Sequence, residues 1–194
     1  MLKVDEKFPE FSLEVYDPGK DDVGRITNAD FKGKFLALFF YPADFTFICP
    51  TELADMNRRY NEFKNNGAEI LAASTDTVYT HKAWIETEEL LKGIKYRMAA
   101  DHNGRLSREL GIYDDEKGLA QRAAFIIDPD GFLRAIDITG DKIGRSAGEI
   151  LRKVKALKFV RENKGLVCPA SWDEGAATLR PSIKIAGKVA KELK

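Results

Sequence analysis

The most constraining feature of the sequence is an unbroken apolar run. After Lys34 the chain reads Phe35-Leu36-Ala37-Leu38-Phe39-Phe40-Tyr41 and is stopped by Pro42. Seven apolar residues without alternation suit a strand buried on both faces, so this segment predicts the centre of a sheet with layers on either side. From Pro50 the spacing changes: Leu53, Met56, Tyr60 and Phe63 recur at helical intervals until Asn65-Asn66-Gly67 ends them. A second buried strand is expected over 68–74.

Further on, the pattern predicts a helix over 78–91 with Trp84 and Leu91 inward, and a short one over 104–110. Residues 123–128, Pro129-Asp130-Gly131 and 132–139 read as strand, turn and strand. A long helix follows over 147–163, with Ile150, Leu151 and Val154 on its apolar side. Ahead of all this, Phe8, Phe11, Leu13 and Val15 mark an opening segment, the last three alternating as in a strand, and residues 17–22 read as a turn. The order predicts an α/β layered domain with a mixed central sheet flanked by helices, for which a thioredoxin-like arrangement is one natural solution. Residues 1–164 would form that domain. Residues 165–194 carry Cys168, Trp172 and two prolines without periodicity and are expected to be a C-terminal arm.

Charge limits the choice of partner. The 31 basic and 31 acidic side chains cancel, which removes any general reason to expect nucleic acid or an anionic membrane. No apolar run approaches the ~20 residues of a membrane span, and the charged N-terminus lacks a signal peptide's apolar core. A cytoplasmic location is the expectation. Reducing conditions there disfavour a permanent disulfide between Cys49 and Cys168. Neither these cysteines nor His81 and His102 have the spacing of a zinc site, so no metal is expected. Reactive chemistry and two inert buried thiols remain open.

Cys49 falls where a buried strand has ended and a helix begins, with Pro50 suited to the first helical position. Unpaired N–H groups at a helix start favour negative charge and so favour a thiolate. Ionisation alone achieves little. Lowering a thiol pKa from ~8.5 to ~6 raises the thiolate fraction at pH 7 roughly 30-fold. The accompanying loss of nucleophilicity returns roughly a factor of 13. A fast thiol chemistry therefore also needs donors fixed where charge develops on a leaving atom. Thr46 is one candidate, and its hydroxyl can also accept. A guanidinium would be another.

Pro42-x-x-x-Thr46-x-x-Cys49, within Phe45-Thr46-Phe47-Ile48-Cys49-Pro50-Thr51-Glu52, resembles the signature of the typical two-cysteine peroxiredoxins. Similarity to the alkyl hydroperoxide reductase C-like members extends over nearly the whole chain. It includes the stretch from Asp76 to Trp84, Arg122-Ala123-Ala124-Phe125-Ile126-Ile127-Asp128-Pro129, and Val167-Cys168-Pro169-Ala170-Ser171-Trp172. The resemblance implies a thioredoxin-like fold and reduction of hydrogen peroxide and organic hydroperoxides. It implies that Cys49 attacks the peroxide, Pro42 shields the thiolate and Thr46 bonds the peroxide. Arg122 would supply the guanidinium, Glu52 would orient it and Arg145 would join the same network. Cys168 would resolve the sulfenic acid from a partner subunit, and an external disulfide reductase would close the cycle without a cofactor. A homodimer, assembled into a ring of five dimers with contacts around Thr77 to Trp84, is also implied.

Without the resemblance each residue has a plainer reading: Thr46 as a turn hydroxyl, Pro42 as a strand terminator, Arg122 as a surface ion-pair partner. His81, at a helix start, reads as structural rather than as a base, and the aromatics 39–47 as core and pocket wall. General thiol–disulfide exchange usually uses Cys-x-x-Cys, which is absent. A holdase is the alternative of another class. Peroxide-sensitive relatives carry a Gly-Gly-Leu-Gly loop and a C-terminal Tyr-Phe pair. Here the loop reads Tyr113-Asp114-Asp115-Glu116-Lys117-Gly118-Leu119 and the tail lacks the pair, so resistance to over-oxidation is expected.

Overall fold

The computed structural model describes residues 2–193. Its main sheet has seven strands. Strand β3 (Phe35–Phe40), with all six residues buried, lies inside it. It runs parallel to β4 (Ala68–Ser74) and antiparallel to β8 (Arg122–Ile127). Beyond β4 come β5 (Arg97–Ala100), β1 (Ser12–Asp17) and β2 (Asp22–Thr27), and β9 (Leu133–Thr139) lies outside β8. The spatial order is β2-β1-β5-β4-β3-β8-β9. A separate two-stranded ribbon joins β6 (Tyr113–Asp114) to β7 (Leu119–Ala120).

The apolar run of β3 is explained by its two faces. Ala37 and Phe39 belong to a cluster with Leu53, Met56, Phe63, Trp84 and Ile150. Leu36, Leu38 and Phe40 belong to a second, with Phe8, Ile26, Leu106 and Phe125. Helices α1 (Cys49–Arg58), α2 (Tyr60–Asn65), α3 (Val78–Thr87) and α5 (Ala147–Glu162) cover the first face, while the N-terminal segment and α4 (Arg105–Glu109) cover the other. Fully burying a leucine or phenylalanine is worth roughly 1.5–3 kcal/mol, and a strand apolar on both sides gains from both layers. The mixed sheet flanked by helices agrees with the expected fold class.

Several elements differ from the sequence pattern. The helix expected over 50–67 is interrupted at Arg59 (φ −97°, ψ 7°), which separates α1 from α2. The one expected over 78–91 leaves α-helical geometry after Thr87, and a 3-10 turn, Glu89–Leu91, completes it. Strands β2 and β5 and the β6–β7 ribbon were not indicated by the pattern. In β2 only Ile26 is buried, which leaves no alternation to read. Strand β5 has four residues and is held between β4 and β1 by pairing with distant segments.

Two contacts fix the later part of α1. Tyr96 Oη donates to Leu53 O at 2.7 Å. The Asn57 side chain donates to Gly93 O and accepts from Lys95 N, both at 3.1 Å. Near the start of α4, Gly104 has φ +65°, and a Cβ there would lie 2.6 Å from both Arg108 and Tyr113, so only glycine fits.

Past residue 164 the chain forms no core of its own, and Trp172 is the single buried residue there among those described. Its ring lies 4.9 Å from Phe159 of α5, and its carbonyl accepts from Arg152 Nη1 at 2.9 Å. Val167 and Leu179 close a two-way backbone bridge. No helix among the described residues is long and apolar enough to cross a membrane.

Candidate active site

Cys49 opens α1 and is fully buried at the edge of the first apolar cluster. The helix start itself offers its sulfur little. The Thr51 and Glu52 amides both donate to Ile48 O, at 3.0 and 3.2 Å, and Pro50 has no N–H to give. The direct partner comes from the sheet. Arg122, at the first position of β8, points Nη1 at Cys49 Sγ from 3.2 Å.

The same Nη1 donates to Glu52 Oε2 at 2.8 Å, and Arg122 Nε donates to Asp141 O at 3.0 Å. Glu52 lies one turn after Cys49 on α1 and is itself buried. Its Oε1 accepts from the Arg145 backbone N–H at 2.7 Å and from Arg145 Nε at 3.0 Å. Arg145 Nη2 reaches Glu52 Oε2 at 3.2 Å and Phe40 O at 2.8 Å. The chain Cys49–Arg122–Glu52–Arg145 is thus continuous and buried. Gly144 permits the approach of the Arg145 backbone, because a Cβ there would lie 3.2 Å from Ile48 and 3.6 Å from Glu52.

Its charges do not cancel unless the sulfur is ionised. Two guanidinium groups and one carboxylate leave one positive charge in a water-poor site, and a thiolate neutralises it. Burial pulls the Arg122 pKa down, but its bonds to Cys49 and Glu52 outweigh that and hold it above the ordinary value. Arg145 goes the other way: burial lowers it, and Glu52 offsets only part.

The loop from Tyr41 to Ile48 leads from β3 into the helix start. Pro42 and Thr46 are both half-buried. Thr46 Oγ1 donates to Ala43 O at 2.8 Å, so its proton is engaged and its lone pairs are left to accept. Phe45 takes φ +54°, a conformation costly for a bulky residue and held only where surroundings enforce it. The enforcing contacts flank it. Asp44 N donates to Asp76 Oδ2 at 2.9 Å, Tyr41 Oη donates to Asp44 Oδ1 at 2.7 Å, and His81 Nδ1 lies 2.7 Å from Asp44 Oδ2. His81 Nε2 is 3.1 Å from Ala99 O, a carbonyl that can only accept, so Nε2 is the donor in that contact. Burial raises the Asp44 pKa against the opposing pull of His81.

The structure therefore brings together Cys49, Glu52, Arg122 and Arg145, with Pro42 and Thr46 in the loop beside them. Cys168 is elsewhere. It is a free, half-buried thiol in the arm, with Sγ 3.8 Å from Ala156 O of α5, and burial raises its pKa while Arg152 lowers it. The sequence pattern missed the Tyr41–Asp44–His81 connection and the Asp141 carbonyl on Arg122, since no local spacing marks either. A groove of about 770 Å³ lined by Glu14, Arg25, His102 and Arg105 includes none of these groups.

Comparison with known proteins places this geometry in context. Residues 4–136 match the model of the AhpC/TSA family. The chain is 48% identical over 179 residues to alkyl hydroperoxide reductase C of Amphibacillus xylanus, covering 92% of this chain and 95% of that one. It is 41% identical over 189 residues to the Staphylococcus epidermidis protein of the same name, covering 97% and 100%. Among solved structures, Enterococcus faecalis AhpC superimposes with a TM-score of 0.82 at 41% identity, over 87% of this chain and 100% of that one. The reduced 2-Cys peroxiredoxin of Plasmodium vivax gives 0.90 at 32% identity, over 96% and 98%.

Proposed function

The chain belongs to the AhpC/TSA family, and we propose that it reduces hydroperoxides with Cys49 as the attacking thiolate. It is a thiol-dependent peroxidase, and the holdase alternative gains no support from its relatives. The observation that carries the assignment of the nucleophile is Arg122 Nη1 at 3.2 Å from Cys49 Sγ while it also bonds Glu52.

The thiolate attacks one peroxide oxygen, the O–O bond breaks, and its electron pair leaves with the other oxygen as alkoxide or hydroxide. Arg122 stabilises that developing charge from a position it already holds, so no reorganisation is needed during the step. Thr46 accepts the peroxide hydrogen bond through the lone pairs its bond to Ala43 leaves free. Pro42 limits water. Glu52 fixes Arg122, and Arg145 fixes Glu52. The product is Cys49 sulfenic acid and, after proton uptake, an alcohol or water.

Cys168 of a partner subunit then condenses with the sulfenic acid, releasing water and forming an intersubunit disulfide. An external dithiol reductase returns both thiols. Residues 1–164 act as the peroxidase domain and 165–194 as the arm that delivers Cys168. Assembly as a homodimer, and as a ring of five dimers, accords with exposed apolar groups near the site, namely Phe45, Phe47 and Tyr79, and with the outer position of β9, where Ile138 is exposed. We place the protein in the cytoplasm, whose reducing conditions suit such a dithiol cycle.

The experiment is a titration. Prereduced protein consumes about one hydrogen peroxide per active site, and Cys49→Ser abolishes it. On a non-reducing gel peroxide converts the chain to a covalent dimer, and Cys168→Ser prevents it. Retained consumption by Cys49→Ser would overturn the assignment.

A further inference from the structure

The Arg145 guanidinium is not held by hydrogen bonds alone. Its Cζ lies 3.7 Å from the centroid of the Phe39 ring. Phe39 is 1% exposed and belongs to β3, where its neighbours in register are Ala72 on β4 and Ala124 on β8. All three face the same cluster. Two methyl side chains flank the ring, which leaves its face open to a flat cation. Arg145 Nη1 is meanwhile buried with no hydrogen-bond partner. Bulk solvent does not reach that nitrogen, and the ring's electron-rich face is stacked against the guanidinium that carries it.

From this we infer that Phe39 is a positioning residue for the peroxidase reaction, acting through Arg145 and Glu52 on Arg122. The inference rests on the assignment of Cys49 and Arg122 made above. Arg145 must keep Nε and Nη2 on the two Glu52 oxygens if Glu52 is to keep Oε2 on Arg122. A guanidinium that could tilt would release one of those oxygens. Glu52 would then lose its fixed orientation, and Arg122 would swing on its remaining bond to Asp141 O, taking Nη1 off the sulfur line. The ring provides the flat stop that prevents the tilt. An aliphatic side chain of similar volume would fill the space without offering an attractive face.

Graded fluorination of the ring tests this, because it withdraws charge from the ring face with almost no change of shape. Phenylalanine with one, two or three fluorines is placed at position 39, and the second-order rate constant of the prereduced protein with hydrogen peroxide is measured. The expected result is a stepwise fall with fluorine number, reaching about fivefold at three, in protein that remains fully folded at the assay temperature. Phe39→Leu is expected to lose about tenfold. An unchanged rate constant in the trifluoro protein would overturn the inference, as would a fall fully accounted for by loss of folded protein at the assay temperature. Cys49→Ser, run alongside, separates the two levels. If it still consumes peroxide, the nucleophile is misassigned and the role of Phe39 falls with it. If it is inactive while the fluorinated series is flat, only Phe39 is misassigned.

Discussion

Glu52 Oε1 accepts both the backbone N–H and the side-chain Nε of Arg145, at 2.7 and 3.0 Å, so a residue of α1 is fixed to the segment just before α5. Glu52→Gln would leave two buried guanidinium groups facing an uncharged amide. Removing one member of a buried ion pair costs about 3–5 kcal/mol, and a loss of that size is expected in urea unfolding. The rate constant with peroxide should fall by at least about tenfold, since Arg122 loses its only charged anchor besides the sulfur.

Two carboxyl groups should shape the pH dependence of stability in opposite directions. Burial pushes Asp44 above the ordinary carboxyl range despite His81, so its folded form holds a proton more tightly than the unfolded chain does. Its contribution is fully present below the ordinary carboxyl range and is lost as pH rises through the elevated folded value. Glu69 is the reverse: burial raises it, but Lys34 and Lys64 outweigh burial and hold it below the ordinary range. That contribution is present above the ordinary range and lost as pH falls through the depressed value. Urea unfolding between about pH 3 and 7 should show Asp44→Asn removing a decline with rising pH and Glu69→Gln removing part of the acid-side loss.

Trp172→Ala should free the arm without unfolding the domain. Among the described residues of the arm the ring is the one buried side chain, and it packs on Phe159. Truncating a buried tryptophan costs about 3–5 kcal/mol, here mainly in the local opening of 165–193. Limited proteolysis should cut within the arm at least about tenfold faster, while peroxide consumption by Cys49 is unchanged.

Over-oxidation should be slow. The 113–120 segment is a short ribbon with a tight connection, and among the described residues the tail past 182 forms two largely exposed 3-10 turns, Ile183–Ile185 and Val189–Lys191. Among the described residues neither makes a hydrogen bond to the first turn of α1, and on that ground Cys168 is expected to compete well for the sulfenic acid. Mass spectrometry of Cys49 after repeated turnover with excess peroxide and reductant should show sulfenic acid and disulfide well ahead of sulfinic acid; early dioxidation would refute this.

Legibility in the sequence followed the range of the forces involved. Strand β3, helix α5 and the β8–β9 hairpin announce themselves through local apolar patterning, while Glu52, Arg122 and Arg145 were named through the family resemblance, the spacing around Cys49 indicating only that a guanidinium was needed. Strands β2 and β5 did not, because the first buries almost nothing and the second exists through neighbours far along the chain. The Asp44–His81 bond joins residues on separate elements and leaves no periodic trace. Phe39 was visible only as an apolar core residue, since nothing in its own surroundings along the chain shows that a guanidinium lies against its ring.

The bond from Tyr96 to Leu53, backed by Asn57 on the 93–95 segment, sets the length of a leash. If the helix lets go ahead of that knot, only four peptide units separate the reactive sulfur's residue from a fixed point. At about 3.5 Å per unit the backbone there can travel within a radius of roughly 14 Å and no further. The other sulfur must cover whatever distance remains, and so the longer excursion falls to the weakly held C-terminal strap.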